Sequence, residues 1–252
     1  MSNQENISGI HNWCDRWCKK CPYIARCAVG ERELDMLEQE QKGIKPDFWE
    51  GIKEQFTKSI ELIDELAKEK GIDLNAIPDE EWDKINQEKE EQRLEGENHP
   101  ISKLSGQYPK DCERILDSKF IQEKYEVELN KFDLGLEDEA YQNLNKFKEA
   151  IEIIRWYMFF IPAKCNRLMM ENMDKEFEDT EFPPEERSYN GTAKITLISI
   201  ERSIAAWGLL FRFFPDHQDE ILPLLALLQK LQKMIHTEFP DAMKFIRPGF
   251  DE

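Results

Sequence analysis

Four cysteines lie close together near the start of the chain. They occur in the order Cys14, Cys18, Cys21 and Cys27, with the spacing C-x3-C-x2-C-x5-C. Thiolates are ligands for zinc and for iron–sulfur clusters, so several of them in one short segment can bind a single metal centre. The chain has six cysteines in all, and the other two lie far apart. The spacing therefore predicts a cysteine-rich metal-binding head over residues 1–30, with these four cysteines as its ligands.

Iron–sulfur and zinc sites arrange their cysteines differently along a sequence. A structural zinc site commonly takes two closely spaced pairs separated by a longer insert. A [4Fe–4S] cluster commonly takes several cysteines from one short loop. All four cysteines of the head fall within one stretch, and no second pair follows. This favours a [4Fe–4S] cluster, while zinc on the same thiolates, and thiols that bind no metal, remain the alternatives.

The second half of the head has a more specific pattern. The segment Cys18-Lys-Lys-Cys21-Pro-Tyr-Ile-Ala-Arg-Cys27 fits C-x2-C-P-[YF]-x3-C. It resembles the cluster-binding segments of the auxiliary-cluster (SPASM) domains of radical-SAM enzymes and of RecB-like iron–sulfur nucleases. The first three cysteines of the head also match the C-x3-C-x2-C spacing of the radical-SAM core. The resemblance covers 14 of the 252 residues and implies a [4Fe–4S] cluster on the four cysteines.

The activities of those families are not expected for this chain. The sequence has neither the β/α pattern of a radical-SAM barrel nor the acidic-x-lysine core of the nucleases. The cluster would instead serve electron transfer or the sensing of redox state or oxygen, or it would brace the N-terminus against the helical bundle. A zinc-stabilised helical module that binds another protein is the first alternative, and an enzyme with a charged pocket is the second.

Aromatic and basic residues surround the cysteines. Trp13, Trp17 and Tyr23 are predicted to dock the head against the helices, and shielding of a cluster from water is the alternative role. Basic residues would offset the negative charge of four thiolates, or form a solvated surface. They are Arg16, Lys19, Lys20 and Arg26.

Charged residues on two apolar helices are the weaker candidates for a catalytic site. They are Glu152, Lys164, Arg167, Lys194 and Glu201. A buried charge needs a partner, so the first interpretation is a structural ion-pair network between the helices. The alternative is a polar pocket, with a glutamate as acid or base and the basic residues binding an anion. Sequence motifs of hydrolases, nucleotide-binding proteins and zinc proteases are absent.

Charge and composition restrict the partners. The chain has 52 acidic and 34 basic residues, a net charge of −18, which argues against nucleic acid and against anionic membranes. The N-terminus lacks the pattern of a signal peptide, and the apolar runs are too short to span a bilayer. We therefore expect a cytoplasmic protein with reduced cysteines, and a redox or protein partner.

Helical periodicity dominates the rest of the chain. After the head, residues 31–130 form a charged helical region, with a linker predicted around 96–110. Apolar residues recur at helical spacing over 46–70, between Pro46 and Gly71. Two further helices are predicted over 78–96 and 111–129.

Residues 131–252 carry most of the apolar mass and predict a helical bundle. A helix over 136–174 contains Pro162, which should kink or break it. The apolar segment 191–214 includes a β-branched stretch, but its pattern continues without a turn and favours a helix. A last helix is predicted over 217–238. The fold class is all-α, a helical bundle with an N-terminal four-cysteine head.

Overall fold

The computed structural model describes residues 5–43, 48–73, 78–134, 140–171 and 175–251. These ranges contain α-helices and short 3₁₀ turns and no strand, which confirms the all-α class. The α-helices are α1 (Ala28–Gln41), α2 (Phe48–Lys70), α3 (Asp79–Asn98), α4 (Pro100–Ser105), α5 (Tyr108–Leu116), α6 (Lys119–Asp133), α7 (Ala140–Glu171), α8 (Lys175–Glu181), α9 (Ser188–Phe213) and α10 (Gln218–Glu238). None of the helices in these ranges is both long and apolar enough to cross a bilayer.

The chain divides into two compact units. The first unit contains the residues up to His11 together with Arg16–Glu91. The second unit contains Asn12–Asp15 together with Gln92–Glu252. Cys14 thus belongs to the second unit, and the other three cysteines of the head belong to the first.

Helix α2 of the first unit confirms the helix predicted over 46–70. Its end is set by Gly71, which adopts the left-handed conformation at φ +66°. The Gly71 amide donates to the Lys68 carbonyl at 3.2 Å, and the Ile72 amide donates to the Ala67 carbonyl at 2.8 Å. This pair of bonds is the Schellman motif that satisfies the last carbonyls of a helix. Pro46, predicted near the start, lies outside the described residues.

The loop structure expected for the linker around 96–110 is wrong, because most of this stretch is helical. Helix α4 begins at Pro100, whose missing N–H costs nothing at the first helical position. The His99 side chain caps it by accepting a hydrogen bond from the Ile101 amide at 3.3 Å. Ile101 and Ser105 are fully buried, so this stretch belongs to the core of the second unit.

The single helix predicted over 111–129 is two helices. Asp117 and Ser118 separate α5 from α6, and Ser118 is extended with ψ 150°. Its hydroxyl donates to the Ile115 carbonyl at 2.6 Å. A serine that binds a carbonyl of the preceding turn competes with helix continuation, which explains the break.

Helices α7 and α9 form the centre of the second unit. The helical interpretation of 191–214 is confirmed, and α9 is buried over most of its length. Pro162 lies inside α7 without ending it, so the predicted break does not occur. On α9, the Trp207 indole donates to the Tyr108 hydroxyl of α5 at 3.0 Å, deep in the core.

Candidate functional site

The head between Cys18 and Cys27 consists of two 3₁₀ turns, Cys18–Lys20 and Ile24–Arg26. Cys21 lies between them in an extended conformation, with ψ 123°. The residue before a proline is excluded from helical geometry by the proline ring, so Pro22 fixes this extension. Tight turns therefore follow one another over the segment that carries three of the four thiols.

Cys27 lies immediately before α1. Its carbonyl accepts the Glu31 amide at 2.9 Å, the first hydrogen bond of that helix, and its side chain is buried. The N–H groups at a helix N-terminus stabilise negative charge. The position of Cys27 therefore suits a thiolate ligand.

Arg16 has a strained backbone between the first two cysteines of the head. Its φ is +57°, the one positive φ at a non-glycine residue in the described ranges. The left-handed conformation costs an ordinary residue about 1–2 kcal/mol. Strain of this kind persists where the surrounding structure fixes the backbone.

The thiols of the head have the chemistry that a soft metal or cluster requires. None of the six cysteines forms a disulfide. Cys14, Cys18 and Cys21 are half-buried, and Cys27 is buried. Among the described residues, no group of three or more His, Cys, Asp or Glu side chains is arranged to hold a metal ion. The donor set fits a thiolate-ligated centre by residue type and by its position along the chain.

Helix α1 packs tightly on the second 3₁₀ turn of the head. Gly30 is buried, and a Cβ atom there would lie far inside van der Waals contact of the Ile24 carbonyl oxygen. The Ile7 amide donates to the Arg26 carbonyl at 3.0 Å. This hydrogen bond attaches the loop before the cysteines to the same turn. Trp17 is buried and lies beneath the Lys20 ammonium, 4.4 Å from its ring centre. These contacts hold the three cysteines of the first unit on a defined backbone.

Within the second unit, Trp13 packs against the first turns of α9. Its indole N–H donates to the Ser188 carbonyl at 3.2 Å, and its ring lies 4.7 Å from that of Phe245, centre to centre. A Cβ atom at Gly191 would lie 2.5 Å from the indole and 2.8 Å from Phe245. Glycine at position 191 therefore leaves the space that Trp13 occupies. Trp13 thus docks residues 12–15 against α9 within the second unit.

Asp15 makes the second attachment of the same segment. Its carboxylate accepts the Tyr157 hydroxyl at 2.7 Å and pairs with the Arg202 guanidinium at 2.5 Å. Its carbonyl oxygen accepts the Trp156 indole N–H at 3.0 Å. Burial of Tyr157, together with the hydrogen bond to Asp15, raises the pKa of the tyrosine. Three side chains of α7 and α9 thus hold the position next to Cys14.

Sequence reasoning gave no role to Asp15 or Tyr157. Nothing in the local pattern marks an aspartate beside a cysteine as a partner of an arginine that follows 187 residues later. Gly191 inside α9 was the one available signal, since a glycine in a helix interior often has a packing reason.

The two cysteines outside the head, Cys112 and Cys165, are fully buried. Burial raises the pKa of each thiol to about 12. They are inert core thiols in the physiological range.

The five charged candidates on the apolar helices have separate environments. Lys194 is buried, and its ammonium donates to the Phe245 carbonyl at 2.6 Å and pairs with Asp251 at 2.8 Å. Burial raises the Asp251 pKa, but hydrogen bonds from Arg247 and Lys194 outweigh burial and hold the pKa well below its usual range. Lys194 therefore attaches the C-terminal segment to α9.

The other four candidates face different neighbours. Arg167 pairs with Glu171 at 2.6 Å on the same helix, and the Lys164 ammonium lies 5.3 Å from the Phe160 ring centre. Glu201 accepts the Gln232 side chain of α10 at 3.3 Å. Glu152 lines a groove between α5, α6 and α7.

A groove of about 810 Å³ lies in the second unit between α5, α6 and α7. Leu116, Ile121 and Ile151 give it an apolar lining, and Lys148 and Glu152 contribute charges. Its volume is in the range of small-molecule sites. Of the five candidates, Glu152 is the one among its lining residues.

Comparison with known proteins does not assign the chain to a family. No protein-family model matches the chain, and no curated protein and no solved structure is found to be similar to it.

We predict that Gly191→Ala destabilises the second unit, whereas Gly208→Ala on the same helix does not. A methyl group at Gly191 collides with Trp13, and such overpacking costs about 1–3 kcal/mol. A Cβ at Gly208 meets open space, so the higher helix propensity of alanine should stabilise it by about 0.5–1 kcal/mol. Urea denaturation gives the two free energies of unfolding. Equal values for both variants would contradict the packing of Trp13 on Gly191.

We predict that iodoacetamide at pH 8, applied to the folded, metal-free chain, labels the half-buried head cysteines and spares Cys112 and Cys165. With a pKa of about 12, only about one core thiol in ten thousand is ionised at that pH. Labelling of Cys112 and Cys165 should increase as the pH is raised towards 12, because the thiolate fraction rises. It should also increase on unfolding in urea, because the two thiols are then no longer buried. Peptide mass spectrometry locates the label, with the urea-unfolded chain as the control. Fast labelling of Cys112 or Cys165 in the folded chain would show that these thiols are accessible.

Proposed function

We propose that the head binds a [4Fe–4S] cluster through Cys14, Cys18, Cys21 and Cys27, and that the protein acts in electron transfer or in sensing redox state or oxygen. The observation that carries the proposal is the presence of four thiols within fourteen residues. Iron–sulfur clusters take several cysteines from one short loop of this kind. None of the six cysteines is paired in a disulfide, so the thiols of the head are available as ligands.

Electrostatics support the same assignment. Between Cys14 and Cys27 the chain has four basic residues and one acidic residue, although the whole chain carries −18. The four thiolates of a cluster site concentrate negative charge, which neighbouring cations stabilise. Lys20 lies over Trp17, and Cys27 lies at the N-terminus of α1, where backbone N–H groups add a further positive field.

A bound cluster would supply a site that accepts and releases single electrons. The residues of the chain would hold it and control its contact with water, and the buried indole of Trp17 and the half-buried rings of Trp13 and Tyr23 are the aromatic groups nearest in sequence. Burial of a cluster is one of the factors that set its reduction potential. The acidic surface would favour a redox or protein partner with a basic face.

The first test is metal content after purification without oxygen, in the wild type and in single Cys→Ala variants. We predict about four irons and four sulfides per chain and a broad visible band near about 400 nm. Cys14→Ala, Cys18→Ala, Cys21→Ala or Cys27→Ala should lose most of the iron and the band, because each removes one ligand.

Cys112→Ala and Cys165→Ala are the matched controls, and they should retain both the iron and the band. Far-UV circular dichroism checks that each variant is folded. Iron retained in all four head variants would contradict the ligand assignment. One zinc per chain without a visible band would replace the cluster by the zinc-stabilised module, because a tetrahedral zinc ion accepts the same four thiolates.

A further inference from the structure

The C-terminal segment, residues 245–251, packs on the first turns of α9, where Trp13 also lies. The Phe245 side chain is buried, and its ring lies 4.7 Å from the Trp13 ring, centre to centre. A Cβ atom at Gly191 would collide with both rings, at 2.5 Å from the indole and 2.8 Å from Phe245. The two aromatic side chains therefore share the space that Gly191 leaves on α9.

Lys194 holds this segment one turn further along α9. It follows Gly191 by three residues, so the two positions lie on the same face of the helix. The Lys194 ammonium donates to the Phe245 carbonyl at 2.6 Å and pairs with the Asp251 carboxylate at 2.8 Å. It thus binds the segment at both ends. Because Lys194 is buried, loss of its partner would leave a charge without compensation, which is costly.

Arg247 closes the segment into a turn between these two ends. Its guanidinium donates to both oxygens of Asp251, at 3.0 and 2.8 Å, and its backbone N–H donates to the same carboxylate at 3.0 Å. A bidentate pair of this kind fixes geometry as well as charge. The Ile246 amide adds a hydrogen bond to the Glu185 carbonyl, at 3.2 Å, in the turn before α9. The three charged side chains Lys194, Arg247 and Asp251 form the C-terminal clamp.

We propose that the C-terminal clamp positions Cys14 as a ligand, acting through Phe245 and Trp13. The inference rests on the proposed function, in which Cys14 binds the cluster. Trp13 directly precedes Cys14, so a Trp13 ring held against α9 fixes the backbone from which the thiol extends. Preorganisation of this kind lowers the cost of ordering a ligand when it binds. A weakened clamp should therefore loosen Trp13, and a bound cluster should be lost faster.

The first measurement is hydrogen exchange at the indole N–H groups of Trp13 and Trp207 in the metal-free full chain, followed by NMR. The Trp13 indole donates at the start of α9, and the Trp207 indole donates in the core. Lys194→Met and Asp251→Asn each remove one charge of the clamp. We expect them to speed exchange at Trp13 at least about tenfold, because hydrogen bonds to charged groups are lost. Exchange at Trp207 should change much less, since a local opening leaves the core folded.

Lys244→Met is the matched control. Lys244 pairs with Asp241 at 2.8 Å, just before the C-terminal segment, but its side chain is 64% exposed. This substitution makes the same change of side chain and charge as Lys194→Met. An exposed ion pair contributes little to stability, so exchange at Trp13 should stay within about twofold of the wild type.

The second measurement is the decay of the visible band in air, for each protein purified without oxygen. The band should decay at least about threefold faster in Lys194→Met and Asp251→Asn than in the wild type and Lys244→Met. Residues that orient a ligand affect how well a metal centre is held, even though they do not bind the metal themselves.

The two measurements separate the outcomes. Unchanged exchange at Trp13 in both clamp variants overturns the inference, and so does faster exchange with an unchanged lifetime of the band. Equal acceleration at Trp13 and Trp207 would show that the clamp stabilises only the unit as a whole, which also overturns it. Asp251→Asn decides the matter if Lys194→Met fails to fold.

Failure of the proposed function looks different from failure of the inference. A wild-type chain without iron and without the band overturns the proposed function, and the role of the clamp towards the cluster falls with it. A wild-type chain that binds iron, with a band that decays as fast as in the clamp variants, overturns the inference alone.

Discussion

The packing of Trp13 on Gly191 is the contact on which the position of Cys14 depends. It joins residues that are far apart in the chain, since the Trp13 indole also donates to the Ser188 carbonyl across 175 positions. The contact exists because glycine leaves α9 without a side chain where the indole lies. Asp15, held by Tyr157 and Arg202, adds a charged attachment two residues further on. Cys14 lies between the apolar and the charged attachment, and its backbone is fixed on both sides.

The C-terminal segment completes this attachment. Phe245 packs against Trp13, and Lys194 binds both the Phe245 carbonyl and the Asp251 carboxylate. Arg247 pairs with the same carboxylate at 2.8 Å. A buried lysine is tolerated in α9 because its charge is balanced there. Lys194 was one of the charged residues that suggested a polar pocket in the apolar helices. Its ammonium instead attaches the C-terminal segment to α9, next to Trp13.

Periodicity predicted the long helices well, because an amphipathic stripe or a continuous apolar run spans several turns. Helices α2, α9 and α10 are examples, and Gly71 marked the end of α2 correctly. Local polar residues misled the prediction around 96–110, where His99 and Pro100 begin a helix instead of forming a loop. The break at Ser118 goes with a single side-chain hydrogen bond to the Ile115 carbonyl, which composition does not predict, and α7 continues through Pro162.

The candidate site, like the fold, could be predicted from the sequence only in part. Residue type and spacing marked Cys14, Cys18, Cys21 and Cys27, because ligand chemistry is local in sequence. The residues that position the segment around Cys14 were not visible, because Tyr157, Gly191 and Arg202 reach it only through the tertiary fold. The left-handed Arg16 was equally hidden, since an arginine has no preference for that conformation.

The measurement that tests the central claim most directly is X-ray absorption at the iron and zinc edges of the full chain purified without oxygen. A [4Fe–4S] centre on the head predicts iron coordinated by sulfur, with scattering from neighbouring irons. Zinc coordinated by sulfur at about 2.3 Å, with no iron signal, would contradict the cluster and assign the four cysteines to a structural zinc site.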